Sequence, residues 1–158
     1  MEQKTASPRE YLKTRVLTAS PEQLQLMLYD GAIRFCEQGR QAILDRRIED
    51  SFNLLSKAEK IILELTNGLR DEVAPEICAN MRRLYLFCYD RLVLANVKKD
   101  TGALDDALRV LRELRQTWVM LMDKLNEERR TTQGDDRAAA SGPQSDEQGI
   151  GAGICLEG

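Results

Sequence analysis

The chain has 158 residues, of which 31% are charged and 42% are hydrophobic, and its formal net charge at pH 7 is −3. This length suits one globular domain, and the slightly negative charge does not indicate a nucleic-acid partner. The sequence contains no histidine, which excludes Ser-His-Asp and Cys-His triads, histidine metal sites and the Glu-x-x-His di-metal centres of helical proteins.

The sequence also carries no targeting or cofactor signal. No apolar run is long enough to span a bilayer, and the first residues lack the apolar core of a signal peptide. We therefore expect a cytoplasmic protein without membrane insertion. None of the four cysteines (Cys36, Cys78, Cys88 and Cys155) sits at metal-ligand spacing from another. We expect no cofactor and no metal.

The first twenty residues are predicted to form a short, flexible arm. A polar start is followed by Tyr11, Leu12, Val16 and Leu17, a group too small to bury a core of its own. The arm should end at Ser20, because a proline follows it and disfavours helical geometry at the preceding residue.

Four amphipathic helices are predicted after the arm, over 21–44, 48–69, 75–99 and 103–128. The first begins with Ser20, Pro21 and Gln23, the residues of a capping box with proline at the first helical position. Its expected core stripe comprises Leu24, Leu28, Gly31, Phe35 and Ala42. The expected stripe of the second comprises Phe52, Leu55, Ala58, Ile62, Leu65 and Leu69. That of the third comprises Ile77, Met81, Leu84, Cys88, Leu92 and Ala95, and that of the fourth Leu104, Leu108, Leu111, Leu114, Trp118, Leu121 and Leu125.

Short connections between these helices favour an all-α, antiparallel, up-down four-helix bundle. Residues 131–158 contain six of the ten glycines and five acidic residues against one arginine. We therefore interpret them as a disordered, acidic, glycine-rich tail. The predicted organisation is an arm (1–20), a bundle domain (21–130) and this tail.

Two functional readings follow from the residues themselves. Asp30 lies in the most apolar segment and could serve as a catalytic acid. No second ionisable group is evidently arranged with it, so we favour a residue that faces outward, caps a local backbone irregularity or contacts a partner. Alternatively, apolar residues left near the surface form grooves for an amphipathic partner helix. The residues in question are Tyr29, Ile33, Leu86, Phe87 and Val93. Periodicity alone favours such grooves no more than a wide core stripe with ordinary surface residues.

The first predicted helix and the segment before it carry a resemblance. Tyr11, Val16, Thr18–Glu22, Leu24 and Met27–Ile33 match, nearly position for position, the opening motif of the flagellin export chaperones (FliS). Looser similarity extends to about residue 125. It includes Lys57-Ala58, Leu92-x2-Ala95-Asn96, Leu111 and Trp118.

The resemblance implies a non-enzymatic chaperone that binds the disordered C-terminal segment of new flagellin, prevents premature polymerisation and delivers the subunit to the flagellar export gate. It also implies that the arm covers part of the binding surface. We expect a monomer or a weak homodimer. The alternative is a helical adaptor for another amphipathic helix. The predicted partner-binding residues are Tyr11, Val16, Leu17, Leu24, Met27, Tyr29, Asp30, Ile33, Asn96 and Trp118.

Overall fold

The computed structural model describes residues 7–142, and within that range the chain contains five α-helices and no strand. The helices are α1 (Pro8–Thr18), α2 (Pro21–Leu44), α3 (Ile48–Asn67), α4 (Pro75–Lys98) and α5 (Thr101–Ala140). The all-α prediction is confirmed, and α2–α5 correspond to the four predicted helices. Helix α1 was not predicted, since its residues were assigned to an irregular arm.

The carboxyl end also differs from the expectation. Helix α5 ends at Ala140, whereas the sequence placed the end of the fourth helix at residue 128. Of the described residues, 7–122 belong to one compact unit and 123–142 to another. Most of the predicted tail, from residue 143 onward, lies outside the described range, so the division into arm, bundle and tail stays a prediction.

Capping boxes set the starts of the first two helices. In α2 the backbone N–H of Gln23 donates to Ser20 Oγ at 3.2 Å, and the N–H of Ser20 donates to Gln23 Oε1 at 3.0 Å. This is the box that the sequence predicted. Ser7 and Glu10 form a second box at the start of α1, with distances of 3.1 and 3.2 Å. Each box satisfies backbone donors that the first helical turn leaves without an intrahelical partner.

Cross-helix contacts establish the antiparallel arrangement. Gly31 and Gly39 of α2 face Ile61 and Leu55 of α3 respectively, so residue numbers rise along one helix and fall along the other. The pairs Asp30–Arg115, Glu37–Arg112 and Arg40–Asp105 show the same reversal between α2 and α5. The predicted up-down bundle is therefore confirmed within the first compact unit.

A single cluster of buried side chains fills this bundle. Its members from α2 and α3 are Tyr29, Ala32, Cys36, Leu55, Ala58, Ile62 and Leu65. Its members from α4 and α5 are Tyr85, Cys88, Leu92, Ala95, Ala103, Leu104, Ala107, Leu108, Val110 and Leu111. Most of the predicted stripe positions on α3 and the first half of α5 are in this cluster.

Several predicted core positions are wrong. Phe52, Ile77 and Leu84 are exposed, whereas Cys78 and Tyr85 are buried, one residue later than the expected stripe of α4. Helix α4 is apolar on more than one side, so periodicity could not identify its inner face. Leu121 near the end of the first unit is exposed as well, 44% by area.

Tyr29 was expected near the surface, and this expectation is wrong, because its side chain is buried and only 1% exposed. Its hydroxyl oxygen lies 2.6 Å from that of Tyr85, across the bundle, and Gln25 Nε2 donates to the Tyr85 oxygen at 3.3 Å. A buried phenol is stable in a core when its hydroxyl has such a partner. Burial raises the pKa of both tyrosines, so both stay neutral at physiological pH.

Candidate partner-binding surfaces

Helix α1 presents apolar side chains to solvent and buries none of its residues. Tyr11 and Leu17 are 64% and 76% exposed, and Leu12 and Val16 are also exposed. A helix that buries nothing gains little stability from packing, and helical segments of this length are marginal in water by themselves. The bundle therefore retains α1 by few contacts.

Next to α1 lies a cavity of about 460 Å³, which we call the N-terminal cavity. Leu12, Arg15 and Val16 line it from α1, and Ile61 lines it from α3. The residues that α2 contributes are Leu24, Met27, Leu28, Asp30, Gly31, Arg34 and Phe35. Its lining is mostly apolar, with charged groups at Arg15, Asp30 and Arg34, which is the character of a site for an amphipathic peptide.

Gly31 brings α2 and α3 close together at this cavity. A Cβ atom placed on Gly31 would lie 3.3 Å from Ile61 Cδ1, tighter than ordinary van der Waals contact. The predicted place of Gly31 on the core stripe is confirmed, because Gly31 is buried. Gly39, which the sequence analysis did not single out, is tighter still, since its Cβ would lie 2.7 Å from Leu55 Cδ2.

Asp30 forms an ion pair with Arg115 of α5, and both side chains are about half exposed. The expectation that no second ionisable group is arranged with Asp30 is therefore wrong. The pair ties the α2 wall of the N-terminal cavity to α5. Near it, the indole N–H of Trp118 donates to the backbone carbonyl of Glu22 at 3.0 Å, which fixes the first turn of α2 against α5.

A second cleft of about 690 Å³, the α3/α4 groove, lies between the first half of α3 and the end of α4. Its lining residues are Ile48, Glu49, Phe52, Ser56, Glu59, Val93, Asn96, Val97 and Lys99. Asn96 is only 6% exposed. Its amide nitrogen donates to Glu59 Oε1 at 3.2 Å and to Ser56 Oγ at 3.4 Å, and its carbonyl oxygen accepts from Lys99 Nζ at 3.1 Å.

The structure brings together only part of the predicted site. Val16, Leu24, Met27 and Asp30 line the N-terminal cavity. Tyr11 and Leu17 are exposed elsewhere on α1, while Ile33 and Trp118 pack, half-buried, against the core cluster. Tyr29 lies in the core and Asn96 in the other groove. Their partner-binding roles stay predictions.

Sequence reasoning missed other residues of these surfaces. Arg15, Arg34 and Ile61 line the N-terminal cavity without having been proposed as partner-binding residues, and the groove around Glu59 was not foreseen. The signal for Ile61 was its position beside the predicted stripe of the second helix. No described helix combines the length and the apolar character needed to cross a membrane.

Comparison with known proteins identifies close relatives of this chain. The family model of the flagellar protein FliS matches residues 3–125. The flagellar secretion chaperone FliS of Bacillus subtilis is 35% identical over 124 residues, which cover 78% of this chain and 92% of that protein. The FliS chaperone of Salmonella typhimurium is 32% identical over 114 residues, covering 72% of this chain and 84% of that protein.

A solved structure is similar to this chain in fold. The crystal structure of a flagellar chaperone from bacteria matches with a TM-score of 0.63 and 18% sequence identity. The match covers 73% of this chain and 94% of that chain. At this identity the likeness supports the helical-bundle fold and nothing finer.

Proposed function

Since the chain belongs to the FliS family of flagellar proteins, we propose that its client is the C-terminal segment of newly made flagellin. By binding this segment, the protein prevents premature polymerisation of flagellin and delivers the subunit to the flagellar export gate. The relatives named flagellar secretion chaperones support an export role. The protein does this work in the cytoplasm, as a monomer or weak homodimer, by binding and without catalysis.

The observation that carries this proposal is the pairing of an exposed apolar helix with an apolar cavity. Helix α1 buries none of its residues, although Leu12 and Val16 reach the rim of the N-terminal cavity. Little packing is lost when such a helix moves away. An amphipathic client helix can then occupy the cavity and cover Leu24, Met27 and Ile61 more completely than α1 does.

Coupled folding and binding is the physical mechanism of this step. A disordered client loses conformational entropy when it orders, at a cost of about 2–5 kcal/mol of the gross interaction energy. Apolar burial in the N-terminal cavity offsets that cost, at roughly 25 cal/mol for each Å² removed from water. The net affinity is moderate, so the client is able to leave at the export gate without a nucleotide-driven step in the chaperone.

Isothermal titration calorimetry with the C-terminal peptide of the cognate flagellin tests the proposal. We expect binding at micromolar concentration or tighter, with a negative heat-capacity change that reports burial of apolar surface. Absence of binding at micromolar concentration contradicts a flagellin client.

A matched pair of variants locates the site. Met27→Glu places a charge in the N-terminal cavity, whereas Met120→Glu places the same charge on α5, where Met120 is 64% exposed. We expect Met27→Glu to lower the affinity for the flagellin peptide by at least about tenfold, or roughly 1.4 kcal/mol. We expect Met120→Glu to leave this affinity unchanged. Circular dichroism melting of both variants controls for loss of the fold. Equal affinities would show that the client binds elsewhere.

A further inference from the structure

The α3/α4 groove lies on the opposite flank of α3 from the N-terminal cavity. Phe52 lines the groove and Ile61 lines the cavity. These residues are nine positions apart, or about two and a half helical turns, so they point to opposite sides of the helix. A ligand in the groove therefore leaves the N-terminal cavity accessible.

The groove continues as a row of exposed apolar side chains along both helices. On α3, Ile48, Phe52 and Leu63 are 55%, 56% and 45% exposed and recur at steps of four and eleven, which keeps them on one face. On α4, Leu86 and Val97 are 57% and 76% exposed and share a face. The row on α3 spans fifteen residues, or about 22 Å, which matches four turns of an α-helix.

The groove also has an acidic centre, in which Asn96 holds the carboxylate of Glu59. Glu49 and Glu59 contribute two carboxylates against the one ammonium of Lys99. Asn96 donates to Glu59 Oε1 and accepts from Lys99, which holds the carboxylate and the ammonium apart on either side of a buried amide. Among residues 7–142, neither glutamate forms a salt bridge, whereas seven other acidic side chains of the bundle and its turns do. A cation from a ligand would complement this centre.

We propose that the α3/α4 groove docks an amphipathic helix of a second partner protein, one that carries a lysine or arginine within its apolar face. The apolar side chains of that helix pack against Phe52, Val93 and Val97, and its cation pairs with Glu59. Asn96 acts as a positioning residue for that carboxylate. The proposal is independent of the client proposed above, because it concerns the other flank of α3, and it allows client and second partner to be bound together.

Three synthetic peptides test the chemistry of the groove. Each is a helix of about four turns with leucines along one face, and the central position of that face holds lysine, norleucine or glutamate. Fluorescence anisotropy with the full chain measures their dissociation constants. We expect the lysine peptide to bind at least about tenfold more tightly than the glutamate peptide, with norleucine between them. Equal binding of the three peptides, or no binding, overturns the proposal.

A matched pair of variants identifies Glu59 as the recognising group. Glu59→Gln keeps an oxygen to accept from Asn96 but removes the charge, and Glu64→Gln removes a charge from an exposed position of α3 outside the groove. We expect Glu59→Gln to abolish the preference for lysine over norleucine, and Glu64→Gln to preserve it. A preference that survives in Glu59→Gln overturns the assignment.

Competition separates this site from the client site and from self-association. Saturating flagellin C-terminal peptide should leave the lysine peptide bound, and displacement would show that the groove belongs to the client, which overturns a second-partner site. Analytical ultracentrifugation should show that the lysine peptide does not alter the oligomeric state. A dimer that dissociates on adding the peptide would identify a second copy of the chain as the occupant and overturn the proposal.

Discussion

The α2/α5 side of the bundle and its α3/α4 side differ in the side chains that flank the helix interface. Between α2 and α5, Glu37 meets Arg112 and Arg40 meets Asp105, with nitrogen–oxygen distances of 2.7 Å in both pairs. The α3/α4 side has a cleft of about 690 Å³, which is lined by the apolar residues Ile48, Phe52, Val93 and Val97 as well as by Glu49, Glu59 and Lys99.

The difference lies in the length and chemistry of the flanking side chains. Arginine and acidic side chains reach across a helix interface and cover the apolar residues beneath them. Between α3 and α4 the side chain of Asn96 makes the bridge, to Ser56 and Glu59, while Phe52 and Val97 stay 56% and 76% exposed to water. One side of the bundle is thus bridged by charged pairs, and the other presents an apolar cleft suited to a ligand.

Truncating a leucine on either side of α4 gives the largest expected contrast. Leu92→Ala removes a fully buried side chain, and we expect a loss of about 2–5 kcal/mol in the free energy of unfolding. Leu86→Ala makes the same change where the side chain is 57% exposed, and the expected change is within about 0.5 kcal/mol. Urea unfolding followed by circular dichroism measures both. A comparable loss for Leu86→Ala would make the row of exposed residues part of the core.

At alkaline pH, ionisable groups of the core and of the groove should change the free energy of unfolding in opposite directions. Burial raises the pKa of Cys36 and of Cys88 to about 12, so above about pH 8.5 these thiols ionise first in the unfolded chain. The unfolded state then binds fewer protons, and unfolding free energy falls by up to about 1.4 kcal/mol per pH unit for each thiol. Burial lowers the pKa of Lys99 in the groove. The contribution of Lys99 to the unfolding free energy therefore rises with pH and partly offsets this fall.

Urea titrations from pH 6 to 11 measure this dependence. Between pH 6 and 8 we expect little change, because the chain has no histidine. Cys36→Ala should make the alkaline fall shallower, since one buried thiol is removed, and Lys99→Met should make it steeper. An unchanged slope in Cys36→Ala would contradict the assigned cause.

The ion pairs between α2 and α5 should have the smallest effect. A double-mutant cycle on Glu37 and Arg112 should give a coupling energy of about 0.2–1 kcal/mol, because both side chains are half exposed. High salt should reduce this coupling by screening. The cycle uses Glu37→Gln and Arg112→Gln, with Glu64→Gln as a control lacking a cross-helix partner in the described chain. Coupling that persists in about 1 M salt would mean that the pair is held away from solvent.

Helix starts were predictable from the sequence because their signals are local. Pro21 and Pro75 mark the first residues of α2 and α4, and the Ser20 box forms as expected. Ser7 and Glu10 have the same capping-box spacing at the start of α1. Helix α1 was missed because its few apolar residues follow no stripe and pack into no core.

The inner faces of the helices were less predictable, because packing against other elements decides them. The hydroxyl of Tyr29 meets Gln25 of its own helix and Tyr85 of α4, and the contact with Tyr85 is one that a single helix pattern does not contain. Ile77 and Leu84 are as apolar as the residues that replace them in the core. The two clefts depend on which helices become neighbours, so only their single-helix components, such as Leu24 and Met27, could be proposed from the sequence.

The hydrogen bond between Trp118 and the Glu22 carbonyl makes Trp118 an intrinsic fluorescence probe of the start of α2. The chain contains one tryptophan, and it lies against the first turn of α2, just after the junction with α1. Its fluorescence therefore comes from a single, half-buried position. Movement of that turn would change the emission wavelength without any attached dye, so the opening of α1 can be followed in real time in the unmodified chain.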